Sequence, residues 1–317
     1  MTIRRQQRLA RTVCGCRRSV LLAVLTCGVA AIGAPIASAA TGATGTTGSS
    51  GASGATGTTG ASPAANPQLS SNWAGYAITG SSGGVRNFKH VTAGWVEPTA
   101  ICTPGSSTYS AFWVGLGGLS SSKKLEQTGT EADCDANGVA HYSAWYELVP
   151  AAPVTVKLVI APGDSVDASV SVHGAHVTMR LADETSGRSV SKRLHFGAPN
   201  LSSAEWIAEA PSNCARSCRA LPLTDFGAVN FNGAAVETGN GRSGAISNPD
   251  WSALAIALND RSAATGSRRF FGPPEIDSAV PTVLDPTGSA FAVDWAQFAQ
   301  ENLAGGPGGR FFPGAST

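Results

Sequence analysis

Three polar side chains lie inside runs of apolar residues and are the first candidates for chemistry. Gln127 lies in the run LEQTG, Glu147 in AWYELVP, and Glu209 at the end of AEWIAE. The runs alternate as β-strands do, so Glu205 and Glu209 share a face opposite Trp206. Burying an unpaired carboxylate is costly, which leaves two interpretations: a solvent-exposed sheet face, or a cleft lined by Trp, Gln and Glu. Carboxylates in such a cleft could perform general acid–base catalysis.

Other catalytic and metal-binding patterns are weaker. The chain has five histidines: His90, His141, His173, His176 and His195. His173 and His176 are three residues apart in a strand region, so alternation predicts that they point to opposite faces and do not bind a metal. A G-x-S-x-G match at residues 80–84 lies between two predicted strands, whereas a nucleophile elbow needs a strand-to-helix turn. We interpret it as a hairpin turn, and we expect no metal ion or cofactor.

The elements that must position these residues are predicted to be strands. Short runs rich in Val, Thr, Trp, Tyr and Phe recur between Gly, Ser, Asn and Pro, with almost no helical periodicity. The predicted strands are Trp73–Thr79, Val91–Val96, Ala111–Gly115, Leu125–Thr130, His141–Val149, Val154–Ile160, Ser165–Val172, His176–Asp183, Ser189–Phe196, Ala204–Glu209 and Trp251–Asn259. Their spacing leaves no room for parallel crossovers, so the pattern predicts an all-β antiparallel sandwich or barrel.

The composition limits the classes of protein. The 317 residues suffice for one large domain or two small ones, and 42% apolar residues allow a substantial core. Charged residues make up only 14%, against about 25% in ordinary soluble domains. This excludes a coiled coil and argues against nucleic acid as a partner, because such a surface needs clustered Lys and Arg.

The N-terminus is predicted to be a signal peptide, residues 1–39. Six arginines in the first 18 residues precede an apolar run, Val20–Ile36, and the small-x-small sequence Ala37-Ser38-Ala39 follows. A membrane anchor is the alternative, but Thr, Gly and Pro interrupt the run. Without those arginines, 16 basic residues stand against 21 acidic ones. We therefore expect a mildly acidic, secreted protein with no membrane segment in its mature form.

The rest of the chain divides by composition. Residues 40–68 consist mainly of Ala, Thr, Gly and Ser, which predicts a flexible linker or a pro-segment. Residues 69–303 form the predicted folded domain, and the Gly-rich tail, residues 304–317, is predicted to be disordered.

Four cysteines remain after the signal peptide: Cys102, Cys134, Cys214 and Cys218. In an oxidising compartment they predict two disulfides with three possible connectivities. We favour pairing of sequence neighbours, Cys102 with Cys134 and Cys214 with Cys218. A metal site is the alternative, but it needs two closely spaced pairs, and only the second pair comes near that spacing.

Five segments together resemble the glutamic peptidases, the eqolisin family. They are SNWAGY at residues 71–76, FWVGLG at 112–117, LEQTG at 125–129, AWYE at 144–147 and AEWIAE at 204–209. They follow the family's order and cover roughly residues 70–260. The resemblance implies an antiparallel β-sandwich of two sheets, a concanavalin-like or lectin-like jelly roll. It also implies a secreted, acid-active endopeptidase that hydrolyses polypeptides.

The resemblance assigns the catalytic pair to Gln127 and Glu209, which we expect on neighbouring strands and on one sheet face. An ionised Glu209 can take a proton from water and pass it to the leaving amine. The Gln127 amide can stabilise the oxyanion, so no acyl-enzyme, metal or cofactor is needed. Trp73 and Trp113 are expected to wall the cleft and bind substrate, with ordinary sheet packing as the alternative. Glu147 is expected beside the pair, as a substrate-binding carboxylate or as a partner for an amide.

The pH dependence needs a second group. Activity that is highest in acid requires a protonated partner for Glu209, and Glu147 and Glu205 are the candidates. Fungal family members often have acidic residues at the positions of Gly117 and Ser143, so the substrate preference and the optimum pH stay open. The chain lacks the D-T-G or D-S-G pair of pepsin-like enzymes, which predicts insensitivity to pepstatin.

Two other functions fit a sandwich with exposed aromatic residues. One is a lectin-like carbohydrate-binding module, and the other is a glycoside hydrolase that uses Glu147 and Glu209 as its two carboxylates. Gln127 discriminates between them and the peptidase, because only the peptidase needs it. We expect the mature protein to act as a monomer.

Overall fold

The computed structural model describes residues 62–81, 87–119, 124–213, 219–259 and 275–299. All of them lie in one compact unit of the chain, Gly57–Thr317. These residues form eighteen strands and no helix, so none of the described segments is a helix able to cross a membrane. The predicted signal peptide, most of the predicted linker, the tail, Cys214, Cys218 and most of the G-x-S-x-G match lie outside the described residues.

The strands confirm the all-β prediction. They are β1 (Gln68–Ser70), β2 (Trp73–Gly80), β3 (Phe88–Val96), β4 (Ala111–Leu116), β5 (Leu125–Cys134), β6 (Ala140–Val149), β7 (Val154–Val156), β8 (Ser165–His173), β9 (His176–Asp183), β10 (Arg188–His195), β11 (Ser203–Glu209), β12 (Ser212–Asn213), β13 (Arg219–Ala220), β14 (Ala228–Thr238), β15 (Ser243–Ala245), β16 (Trp251–Asn259), β17 (Glu275–Pro281) and β18 (Phe291–Ala299). Each of the eleven predicted strands is present. The largest difference is at β7, which ends at Val156 because Leu158 and Ile160 are buried in the core without a sheet partner.

The longest strand, β14, was not predicted. Its sequence, AVNFNGAAVET, interrupts the apolar alternation, and Gly233 has a left-handed φ of 60°. The pairing of β14 with β3 shifts register between Asn232 and Ala235, so the strand carries a bulge there. A bulge breaks the period of two on which strand prediction depends.

The strands are hydrogen-bonded in the order β10-β9-β8-β3-β14-β18-β17-β16-β2-β11-β4-β5-β6-β7. We call β10, β9, β8, β3 and β14 the back sheet, and β16, β2, β11, β4, β5, β6 and β7 the front sheet. All neighbours along this order are antiparallel, whereas β1 adds to β16 in parallel. The architecture is therefore the antiparallel sandwich that was predicted.

The core lies between the two sheets. Trp95 and Phe231 come from the back sheet and Phe112 and Trp206 from the front, and all four are almost fully buried. The Trp206 indole N–H donates to the backbone oxygen of Thr92 in the back sheet at 2.9 Å. Buried indoles need such a partner, so this bond fixes one sheet against the other.

Two contacts outside the sheets bear on the sequence expectations. The Ala64 amide donates to the Pro281 oxygen at 2.9 Å, and Pro63 bridges Thr282, so the fold begins several residues before position 69. Cys102 and Cys134 form the expected disulfide, which ties the segment after β3 to the end of β5.

One carboxyl is buried in the core. Glu97 is 1% exposed, and its Oε2 accepts hydrogen bonds from Thr130 Oγ1 at 2.6 Å and from Trp95 Nε1 at 3.3 Å. Its Oε1 has no partner among the described residues. Burial raises the pKa of Glu97 to about 8, so the group is neutral in acid.

Replacing Glu97 should change the pH dependence of stability. Because the folded pKa of Glu97 lies above its ordinary value, its protonated form stabilises the fold below about pH 4, and that stability is lost as the pH rises through about 8. Glu97→Gln should therefore unfold at higher urea than wild type at pH 8 and at similar urea at pH 4. Glu184→Gln, at an exposed site, is the control. An equal effect of Glu97→Gln at both pH values would contradict the assignment.

Candidate active site

The face of the front sheet that points away from the core collects the polar candidates. Glu209 on β11 is the register partner of Ala111 on β4, and Ala111 is in turn the partner of Glu131 on β5. Gln127 lies on β5 as well, four residues before Glu131. Cross-strand partners, and residues two apart, share a face. We call this the site face, and its central residues are Trp73, Trp113, Gln127, Glu131, Trp145, Glu147, Glu205, Ile207 and Glu209.

Gln127 and Glu209 share this face as expected, but they do not lie on neighbouring strands. β4 lies between β11 and β5 and pairs with both. Gly115 of β4 is the register partner of Gln127, and Ala111 of β4 is the partner of Glu209. Trp113 lies between these two positions on β4 and points to the same face. The expectation of adjacent strands was wrong because alternation defines the face of a residue but not the order of strands.

Glu209 is held by a donor on each carboxylate oxygen. Trp113 Nε1 donates to Oε2 at 2.8 Å, and Asn72 Nδ2 donates to Oε1 at 2.9 Å. Burial raises the pKa of Glu209 to about 7. Hydrogen bonds from Trp113, Trp73 and Asn72 lower that pKa, and the charge on Glu147 raises it. The carboxylate is thus fixed in position and needs little energy to gain or lose a proton near neutral pH.

The Gln127 amide is only partly satisfied. Its Nε2 donates to Glu147 Oε2 at 2.5 Å, while its Oε1 is buried and has no partner among the described residues. Burial raises the pKa of Glu147, and the hydrogen bond from Gln127 opposes that rise. Glu147 therefore orients the amide, leaving one N–H and the carbonyl oxygen of Gln127 for other partners.

The two tryptophans differ in what they can contact. Trp73 and Trp113 meet edge to face at 5.1 Å between ring centroids. Trp113 is fully buried, and a Cβ at the facing Gly129 would lie 2.6 Å from the Trp113 Cβ, so only glycine leaves room. As placed, Trp113 contacts Glu209 and not solvent, which gives no support to a substrate-binding role. Trp73 is partly exposed and remains a candidate wall.

Sequence reasoning missed three residues of this neighbourhood. Asn72 was noted only as part of a motif, and nothing in its spacing indicated that it donates to Glu209. Glu131 and Asp133 follow Gln127 at intervals of two, so alternation could have found them. Burial, and then the charge on Glu131, raises the pKa of Asp133 to about 7.

The structure explains the residues at Gly117 and Ser143, where fungal family members often have acidic residues. Ser143 Oγ donates to Glu131 Oε2 at 2.7 Å, so Glu131 supplies a carboxylate beside Ser143. Gly117 has a φ of 98°, and a Cβ there would lie 2.5 Å from the Asn200 Cβ. A side chain at position 117 therefore needs a rearrangement of the neighbouring loop.

Glu205, the other candidate partner, lies further along the site face. It is fully buried, and its Oε1 accepts from the Gly118 amide at 3.1 Å. Burial raises the pKa of Glu205 to about 8, and its Oε2 has no partner among the described residues. Glu205 is thus a neutral acid across the acid range.

Comparison with known proteins decides the family. The sequence model described as the Peptidase A4 family matches residues 71–267. The chain belongs to this family, the eqolisins. It is a glutamic-type endopeptidase, a hydrolase of peptide bonds, and not the carbohydrate-binding module or glycoside hydrolase that the sequence left open. No curated protein sequence matches it.

Solved structures agree with this assignment. Scytalido-glutamic peptidase in complex with a transition-state analogue inhibitor is 26% identical and superposes with a TM-score of 0.54, covering 71% of this chain and 98% of that one. SCP-B, an eqolisin in complex with the tripeptide Ala-Ile-His, is 23% identical with a TM-score of 0.51, covering 71% and 98%. The second likeness, at this identity, concerns the fold alone.

Removing the indole donor should move the titration of the candidate base. Trp113→Phe keeps most of the ring but removes the N–H bonded to Glu209, so the pKa of Glu209 should rise. The acid limb of the kcat/KM profile should shift to higher pH. Trp251→Phe, whose N–H bonds to the Ala245 oxygen, is the matched control. An acid limb at the wild-type position would show that Glu209 does not set it.

Proposed function

We propose that this glutamic peptidase is a secreted acid endopeptidase in which Gln127 and Glu209 together activate a water molecule. The observation that carries the proposal is the buried, unpartnered Oε1 of Gln127 on the same face as Glu209. A buried acceptor without a partner is costly, and a bound water is the simplest partner for it. Secretion rests on the N-terminal segment, residues 1–39.

The reaction follows from these groups. Ionised Glu209 takes a proton from the water, and the water oxygen attacks the substrate carbonyl. During the attack, Gln127 Oε1 accepts a hydrogen bond from the same water. The second N–H of Gln127 donates to the developing oxyanion, and such a donor is worth about 10²–10³ in rate. Glu209 then gives its proton to the leaving amine as the C–N bond breaks. The products are a free carboxylate and a free amine, with no covalent intermediate.

The proposed acid activity rests on the neighbouring carboxyl. The charge on Glu147 raises the pKa of Glu209, so the two groups titrate as a pair. The active form of the pair carries one proton, which Glu209 and Glu147 share, and the arrangement that reacts has Glu209 ionised as the base and the proton on Glu147. This form is most populated on the acid side of neutrality, between the two ionisations of the pair.

The substrate is proposed to be an extended polypeptide that lies across the site face. Trp73 lies at the register position next to Glu209 and is partly exposed, so it can contact a substrate side chain. Scytalido-glutamic peptidase, the solved relative at 26% identity, is a peptidase in complex with a transition-state analogue inhibitor, which supports a polypeptide substrate.

Variants of the pair test the proposal through casein hydrolysis across pH 2–8. Glu209→Gln removes the base, so hydrolysis should fall to background. Gln127→Ala removes one donor and one acceptor but keeps the base, so the rate should fall about 10²–10³-fold. Gln127→Glu should keep some activity at low pH, where its carboxyl is protonated and can donate, and should lose more as the pH rises. Glu184→Gln is the control, and pepstatin should leave wild-type activity intact.

Two results would count against the proposal. A Gln127→Glu profile parallel to that of wild type would remove Gln127 from the oxyanion site. Full activity of Glu209→Gln, with its fold verified by circular dichroism, would remove Glu209 from the reaction.

A further inference from the structure

Four of the five histidines share the outer face of the back sheet. His173 and His176 flank a two-residue turn, and they are register partners, so they lie side by side. The expectation that they point to opposite faces was wrong, because alternation holds within one strand and these residues lie on two. His195 is in turn the partner of His176.

This row lies on the solvent side of the sheet. Val172 and Val177, the neighbours of His173 and His176 in sequence, are buried in the core, so the histidines point outward. His90 is the partner of Ser171, two residues from His173, and lines the same face. His90 and His173 border a groove of about 480 Å³.

We propose that His176 and His195 bind a divalent first-row transition metal ion. Their rings are 5.6 Å apart between centroids and nearly perpendicular, at 84°. Two imidazoles on one tetrahedral ion, each with a metal–nitrogen distance of about 2.0–2.1 Å, have centroids roughly 5 Å apart. Imidazole is a ligand that suits Zn²⁺, Ni²⁺ and Cu²⁺. The observed separation of the two rings is therefore compatible with one ion held between them.

The ring nitrogens are available for an ion. Among the described residues, the side chains of His173, His176 and His195 form no hydrogen bond, whereas His90 Nδ1 is bonded to Ser171 Oγ at 2.7 Å. No three His, Cys, Asp or Glu side chains in the described part of the chain converge on one point. The site therefore has two protein ligands, and water completes the coordination shell. Arg193 lies on the same face, two residues before His195, and its charge weakens the binding of a cation.

A bound ion would act on the edge of the back sheet. β10 is the last strand of the hydrogen-bonded order and pairs only with β9 in it, and His176 and His195 lie at the open end of that hairpin. A metal bridge at this end closes the hairpin, and a ligand that binds only the folded state raises the unfolding temperature. The site is separate from Gln127 and Glu209, so its test is independent of proteolysis.

Isothermal titration of the EDTA-treated, full mature chain with ZnCl₂, NiCl₂ or CuCl₂ at pH 7.5 tests the proposal. We expect one ion per chain, tightest for Cu²⁺, and a rise in unfolding temperature at saturation. His176→Gln and His195→Gln should each weaken binding at least 10-fold and abolish the thermal shift. Arg193→Gln should tighten binding. His141→Gln is the matched control, because this fifth histidine lies on β6 against Asp135.

Either of two results would overturn the proposal. One is that none of the three ions binds saturably with a dissociation constant below about 1 mM. The other is binding that His176→Gln and His195→Gln leave unchanged while circular dichroism shows both variants folded.

Discussion

The hydrogen bond from Trp113 to Glu209 is the interaction on which the arrangement of the site depends. It joins a fully buried indole on the central strand β4 to a carboxylate on β11, and β4 pairs on its other side with β5, which carries Gln127. Gly115 on β4 leaves space for the indole ring, because a Cβ there would lie 2.9 Å from Trp113 Cζ3. Asn72 fixes the other oxygen of the carboxylate. The result is a base whose position is determined before any substrate binds, which is the condition for efficient general-base catalysis.

Buried carboxyl groups make the stability of this fold depend on pH. Outside the catalytic pair, burial raises the pKa of Glu97 and Glu205 to about 8, and that of Glu126 and Asp133 to about 7. In acid these groups are neutral and cost little to bury, whereas at higher pH each must ionise against its surroundings. These buried acids make the fold lose stability as the pH rises through their raised pKa values, and that property suits the acid activity proposed for the site.

The sequence predicted the fold class from alternation, and it predicted the face of the site from alternation combined with the family resemblance. Alternation within each strand, together with the resemblance to the glutamic peptidases, placed Gln127 and Glu209 on one face, and the register of β4 with its two neighbours agrees. Alternation says nothing about which strands are adjacent, so the position of β4 between the pair was not predictable. The Asn72 contact and the row of His173, His176 and His195 arise from pairings between different strands. The bulged strand β14 escaped prediction because its bulge breaks the period.

A crystal structure with a peptide whose scissile carbonyl is replaced by a tetrahedral group tests whether Gln127 and Glu209 act on the same reacting centre. If they do, one tetrahedral oxygen lies within hydrogen-bond distance of both Glu209 and Gln127, about 2.5–3.2 Å. A tetrahedral group bound at Glu147 and Glu131, or elsewhere on the sheet, with no contact to Gln127 or Glu209 would contradict this assignment.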